Sequence, residues 1–596
     1  MSFAAAALAL ALALPTQGGG EPSPTVSAPR PADIDDARGD LAGDALALQG
    51  PEDALSALGA TLVHDGGPLA PSRVMVRGLG GARLALSFDD VALGDPTGAH
   101  LDAALLPWAF ADSLVVDSGP GAGLGGAVRL SSAAGAPRGG RARLLVGALD
   151  TVRLSGQAST PLPEGWLRAG AELASTRGDF AFNPVGAAGG DTDELTLVRV
   201  NNDRQRATAL VDGATRWGPL QVDGLLLAAG HRGGIPGFAL APTRSLRGED
   251  GLLAGRVGAR VVTGSASLGA SLSGRGVHRA TEGPADPRSA VQSSAATLAV
   301  TATRVPLGDE VIADIETHAS TTGARADAQR FERLEAGARV AARTTLGPVR
   351  LRLHADGRAL TDAGPLFGGE LRVEAGDTVR GSLSLARASR APTLEELYAP
   401  AGFLRGNAAL KPELAHDLEG AVAFQPGRLL AARAVAFAGR LDEAIVYLND
   451  NAYEVAPHNT GTAWRAGLDV FMTLEVLPWC GLEAALGALA SRLDATGAPL
   501  PLAPPWSSRG TLRLGPLGGP QLAATLRARG PVSSNHFGTL VAPAQALVDV
   551  VARAPLTQHL WASAALTNAL DARDARDQNQ LPLPGRLWSL ALEVSP

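Results

Sequence analysis

Cysteine is almost absent. Cys480 is the only one in 596 residues, which excludes a disulfide framework and any CxxC metal site and leaves it to act as a small buried hydrophobe. No run of 18 apolar residues stands out after the N-terminus, so no spanning helix is expected. No block of Lys and Arg appears, and the net charge is −7; nucleic acid is set aside as a partner. The ten histidines are scattered, with no H-E-x-x-H or H-x-x-x-H pair, and no G-x-S-x-G elbow stands out. The sequence therefore offers no metal site, no cofactor site and no catalytic constellation, and an enzyme is not expected. Asp89-Asp90 reads as a solvated turn after a strand. Aromatics are also scarce, at 4% with three tyrosines.

What is present is glycine (73 residues) and apolar side chains (45%), too apolar for disorder. Phe3 to Leu14 is a short apolar run ended by Pro15. It fits the core of a secretory signal, although Met1-Ser2 carries no positive charge; an ordinary buried helix is the other reading. We expect a signal peptide over 1–20 and a flexible tether over 21–40, rich in Gly, Pro and Ser. Residues 41–138 are mixed: a short helix at Pro51–Leu58, then brief strands at Arg73–Val76, Arg83–Phe88 and Ser113–Val116. From 139 to 596 the pattern changes to strict alternation. Trp588, Leu590, Leu592 and Val594 oppose Ser589, Ala591 and Glu593; Leu468, Val470, Met472, Leu474 and Val476 oppose Asp469, Phe471, Thr473 and Glu475. Period two puts alternate side chains on opposite faces of a sheet. A soluble sandwich shows the same alternation, but here it runs for roughly 450 residues behind a secretion signal, and in a bilayer every backbone polar group must pair internally, so strands must close into a barrel. Roughly 450 residues at about 20 per strand and connection give about 22 strands, wide enough to need a plug.

Gly121, Gly123 and Gly126 spell G-x-G-x-x-G after the apolar run Leu114-Val115-Val116. A phosphate cradle needs a helix next. Here an alternating segment follows, AVRLSSAAGAPRGG, so the glycines read as a tight turn in a confined space.

Several segments carry a resemblance when taken in order. Arg77-Gly78 precedes Phe88-Asp89-Asp90-Val91, Leu106-Pro107 and Val115 to Val128. Downstream come Ala388 to Tyr398 (ASRAPTLEELY), Gly406 to Glu413 (GNAALKPE), Asn459-Thr460-Gly461 with Gly467-Leu468-Asp469, and Thr567 to Asp571 with Leu583 to Arg586. Across about 530 residues this resembles the TonB-dependent outer-membrane receptors. The resemblance implies an all-β membrane protein: a 22-stranded antiparallel barrel with an N-terminal plug (41–138) inside its lumen. It implies uptake of a scarce nutrient, a siderophore-iron or cobalamin-like ligand, by a monomer in the Gram-negative outer membrane and in contact with its lipid. The implied partner is the TonB–ExbB–ExbD complex, which would add a strand to a TonB box at Thr25, Val26, Ser27, Ala28 and Pro29; a Pro-rich tether without a role is the alternative.

The resemblance also implies a plug–barrel lock in which Arg77 meets Glu413 and Asp469, and a plug turn built on Gly78, Gly119, Pro120, Gly125 and Gly126. A second plug arginine of the family pattern falls at Ser118-Gly119-Pro120 and is missing. Either Arg83 or Arg129 is expected to fill in, or one acid takes a proton or water. Ligand contacts are expected on Leu79–Arg83 and Asp95–His100, with Arg83, Asp95, His100 and Trp108 as candidates, and Gly233–Phe238 as a loop edge. Trp479, Trp506, Trp561 and Trp588 either form part of an aromatic girdle or pack inside. The chain as given closes on Val594-Ser595-Pro596, where such barrels commonly end in an aromatic residue. The degenerate box and the missing arginine leave a second reading, a structural or adhesive barrel without coupled transport. A soluble secreted all-β enzyme is the third.

Overall fold

The computed structural model describes residues 37–40, 46–64, 66–119, 123–132, 139–184, 196–238, 241–283, 286–308, 310–326, 329–398, 404–427, 429–449, 455–516 and 518–594. The signal-peptide expectation, the TonB-box residues 25–29 and Pro120 lie outside them.

Twenty-two antiparallel strands, from Gly139–Gly147 to Leu587–Val594, close into one barrel. The last strand pairs with the first, Leu592 opposite Leu144, so no edge is left to lipid. One rim carries short turns, from two residues (163–164) to six (515–520). The other carries the long connections, up to 27 residues (177–203). Short periplasmic turns and longer outer loops are the usual polarity of such barrels.

The alternation becomes two surfaces. On Leu587–Val594, Trp588, Leu590, Leu592 and Val594 are exposed while Ala591 is buried. On Ala463–Leu477, Leu468 and Val476 face out and Asp469 faces in, toward Arg77. Leu and Val dominate the outward face from Leu144 round to Leu566, an apolar band suited to acyl chains. Among the described residues no helix is long and apolar enough to cross a membrane. Five tryptophans stand exposed near the rims, Trp217 and Trp479 at the short-turn end and Trp464, Trp506 and Trp588 at the long-loop end, where aromatic rings favour the interface. Trp561 differs: it lies against Arg553, 4.3 Å from guanidinium carbon to ring centroid. The expected burial of Cys480 is not met. It opens a strand beside the turn at 478–479 and is half-buried.

Inside the barrel sits a small α/β body: β1 (Ala37–Asp40), α1 (Leu46–Ala57), β2 (Ala60–His64), β3 (Ser72–Val76), β4 (Leu79–Gly80), β5 (Ala85–Phe88), β6 (Val91–Ala92), β7 (Ser113–Asp117) and β8 (Ala127–Ser131). Its five-stranded sheet runs β1-β7-β8-β5-β6, and β2-β3-β4 form a second sheet. The tether expected to reach residue 40 stops earlier in one respect: Ala37–Asp40 pairs with Ser113–Val116 as an edge strand. The helix expected from Pro51 begins at Leu46 and carries Pro51 inside it. Arg83 belongs to a 3-10 turn, Gly81–Arg83, rather than to the strand expected from 83. The plug's apolar core of Leu55, Phe88, Leu93, Phe110, Leu114 and Leu130 runs on into wall residues Leu210, Leu227, Leu252 and Val277. That continuity places the body in the bore.

Candidate functional site: the plug–wall interface and the outer cavity

Arg77 and Gly78 are the two central residues of a hairpin, since Val76 pairs with Leu79. Both have positive φ, 49° and 78°, the signature of a tight turn whose twist matches the flanking strands. For arginine that backbone costs about 1–2 kcal/mol. The turn packs tightly between the wall and a loop: a Cβ on Gly78 would lie 3.4 Å from Leu489 on the wall and 3.0 Å from Ala503 Cβ in the connection 494–505. The Arg77 guanidinium then lies 2.6 Å from Glu419 and 3.0 Å from Asp469. It also stacks on Phe437, 3.9 Å from the ring centroid. Glu419, Phe437 and Asp469 sit on three neighbouring strands, with Glu419 opposite Phe437 and Val435 opposite Asp469. Gly467 makes room, because a Cβ there would come within 2.6 Å of the Phe437 ring. Burial opposes the Arg77 charge, but Glu419 and Asp469 outweigh it and hold the pKa above its ordinary value.

Glu413 does not meet Arg77, contrary to the sequence expectation. It lies under Arg83 at 2.6 Å and under Arg390 at 2.6 Å, and accepts from the Ile445 N–H at 2.7 Å. The reason is depth. Glu413 and Glu419 share the inward face of Glu413–Phe424, six residues and about 20 Å apart along the strand. The Arg77 turn reaches the deeper acid, and Arg83 reaches the shallower one. Arg83 is thus the cation that fills in. Arg129 instead pairs with Asp117 at 3.2 Å.

Other wall contacts are polar as well. On α1, Asp53 meets Arg509 at 3.0 Å and Glu52 meets Arg527 at 2.6 Å. Asp95 meets Arg279 at 3.1 Å and binds Thr97 and Ser293. Asp102 meets His231 at 2.6 Å. Arginines of the wall also donate to plug carbonyls, Arg275 to Gly94 and Arg465 to Leu124. Apart from Asp95 and Thr97, none of these partners is near the other in sequence, and only the odd–even parity of each strand hints at which acids and arginines face inward.

The glycine cluster lies between two antiparallel strands, β7 and β8, with no helix after it. Gly126 has φ 89° and a Cβ there would collide with the Asp117 carbonyl; Gly125 lies so close to Arg83 that a Cβ would be 2.9 Å from its carbonyl oxygen. The Gly119 N–H donates to the Asp117 carboxylate at 3.0 Å. Asp89-Asp90 is a second positive-φ hairpin, tied down by the Ser132 N–H at 2.9 Å. Burial raises the Asp89 pKa, against the two Ser132 hydrogen bonds that lower it.

A cavity of about 460 Å³ opens between plug and wall in the long-loop half, lined by Asp53, Trp108, Arg206, Arg527, Asn568 and Trp588 among others. A second, of about 440 Å³, lies in the short-turn half beside Arg129, Arg343 and His354. Of the ligand candidates, Trp108 lines the outer cavity and anchors its ring nitrogen to the Ala103 carbonyl at 2.8 Å. Arg83 and Asp95 are engaged in the ion pairs above. His100 is exposed and lies with its ring against Gly81. Gly233–Phe238 falls at the long-loop end, where Gly237–Phe238 pairs with Ala241–Pro242.

Residues 323–569 match the family model described as TonB dependent receptor-like, beta-barrel. No curated protein matches the sequence significantly. Among solved structures, the siderophore receptor PirA from Acinetobacter baumannii superposes with a TM-score of 0.77 at 13% identity, over 94% of this chain and 98% of that one. A mutant of the ferric enterobactin receptor PfeA from Pseudomonas aeruginosa gives 0.77 at 15% identity, over 96% and 100%. The copper transporter OprC gives 0.78 at 16%, over 96% and 100%. Residues 323–569 thus match the barrel of the TonB-dependent receptors, and the chain as a whole shares the plugged 22-strand fold of these solved structures.

Proposed function

We propose that this protein takes up a scarce nutrient, a siderophore-iron or cobalamin-like ligand, from the outer face by TonB-coupled movement of its plug. The observation that carries this reading is the polar seat of the plug. Its wall contacts at Arg77, Arg83, Asp53 and Asp95 are charged. A buried ion pair contributes little net stability over an apolar one, yet its groups can be taken over by water. Such a seat closes the bore at rest, and its charged contacts can pass to water when the plug moves, while the apolar contact with Leu210, Leu227, Leu252 and Val277 must part as well. The outer cavity, with arginines and Trp108 on its lining, suits an anionic, ring-bearing chelate. Ligand binding there and TonB binding at the N-terminal segment would be linked through the plug as one two-state element.

The test is deletion of residues 22–32 in cells, with uptake and surface binding of labelled ferric siderophores and cobalamin read separately. Uptake should stop while binding of the cognate ligand persists. Uptake equal to wild type would overturn coupling through this segment. Neither binding nor uptake of any chelate by the intact protein would favour the structural or adhesive reading.

A further inference from the structure

We propose that Asp102, His231 and Asp250 form a divalent-metal site that joins the plug to the barrel wall. The three come from different places: Asp102 from the plug, His231 and Asp250 from directly opposed positions of two neighbouring wall strands. His231 Nε2 lies 2.6 Å from Asp102 Oδ2 and 3.2 Å from Asp250 Oδ2, and one donor atom of each residue falls within 4.8 Å of the others. The 3.2 Å contact matches the about 3.3 Å between ligand atoms around a tetrahedral ion with bonds of about 2.0 Å, and the shorter Asp102 contact must widen by about 0.7 Å to admit the ion.

The second observation is an unsatisfied, buried donor set. The side chains of His231 and Asp102 are only 4% and 8% exposed. Yet among the described residues neither His231 nitrogen nor Asp102 Oδ2 has an aligned hydrogen bond. One N–H cannot serve two carboxylates in line, whereas one cation can accept all three lone pairs. Asp102 is also held for the task. Its other oxygen accepts from the N–H groups of Ser72 and Ala104, both at 2.8 Å, which aims Oδ2 at the wall; outer hydrogen bonds of this kind orient metal ligands.

Two carboxylates and a neutral imidazole balance a 2+ charge. The nearest guanidiniums are committed elsewhere: Arg206 to Glu172 and the Ala104 carbonyl, Arg279 to Asp95 and Glu395. Asp250, 28% exposed, gives the ion a way in from the lumen and leaves a fourth position for water. An imidazole with two oxygens suits zinc or a neighbouring first-row ion rather than calcium or magnesium, which take all-oxygen sets. A local motif such as H-x-x-x-H could not reveal this site, because its ligands are far apart in the chain. The inference is independent of the transport reading: the ion is a staple here, not cargo.

The test uses the full-length protein in detergent, stripped with a chelator and titrated with Zn²⁺ by calorimetry, with Ca²⁺ as control. One equivalent of zinc should bind saturably, and His231→Gln and Asp102→Asn should each weaken it more than tenfold. A variant that no longer folds is recognised by its gel migration. Co²⁺ added to the unaltered protein then serves instead, and should give the visible spectrum of a four-coordinate site that zinc abolishes. No saturable zinc binding by the stripped wild type, as a simple imidazolium held between two carboxylates requires, overturns the proposal. So does a zinc site of unchanged affinity in folded His231→Gln.

Discussion

At the scale of single residues, Arg77 couples backbone and charge. Its positive φ is tolerated because the hairpin gains a guanidinium held by Glu419, Asp469 and the Phe437 face. Arg77→Ala removes the cation and leaves two inward carboxylates side by side. We expect a loss of about 3–5 kcal/mol from plug stability, read as a lower urea midpoint for plug unfolding. Glu419→Gln placed on top of Arg77→Ala should recover part of that loss, since the repulsion is then relieved. Equal midpoints for wild type and Arg77→Ala would show that lumen water already screens the pair. Glu413→Gln should act differently, through Arg83 and Arg390 and not through Arg77. The two substitutions should therefore be additive in a double-mutant cycle.

At the scale of elements, the β7–β8 hairpin explains the glycine-rich stretch after Asp117. Gly126 is needed twice, for φ 89° and because the Asp117 carbonyl occupies the space of a Cβ. Gly126→Ala is expected to destabilise the plug by more than about 1 kcal/mol, and to raise hydrogen exchange in Ser113–Asp117 and Ala127–Ser131. Gly119→Ala, where the nearest atom is the Asp117 carboxylate at 3.1 Å, should cost less. Equal exchange in both variants would mean that this turn is not set by its backbone conformation. The wall strands follow a different logic. Their parity sorts each residue to lipid or lumen, which is why Asp469 could be read as inward from sequence alone, while the choice between Glu413 and Glu419 as the Arg77 partner could not. Both acids obey the same parity, and only the depth of the plug turn separates them.

At the scale of the whole molecule, a closed wall and a seated plug make two predictions of one kind. Unheated protein should migrate faster in detergent gels than heated protein, because a cylinder of 22 paired strands resists unfolding until heat breaks its ladder. Vesicles containing the unliganded protein should retain a small trapped dye. Free leakage would mean that the plug does not seat as its ion pairs with Asp469, Glu413 and Arg509 indicate.

Sequence by itself determined the two-faced strands, because period-two alternation is a local property; the ordered motifs then pointed to a membrane, where lipid allows strands only one closed solution. It also determined that the glycine cluster is a turn and not a phosphate site, since the residues that follow cannot make the required helix. Tertiary structure alone decided which charges meet. Arg77 with Glu419, Asp53 with Arg509, and Asp102 with His231 and Asp250 join residues separated by more than a hundred positions. Their pairing depends on how far each plug turn descends into the bore, a distance that no local pattern in the chain records.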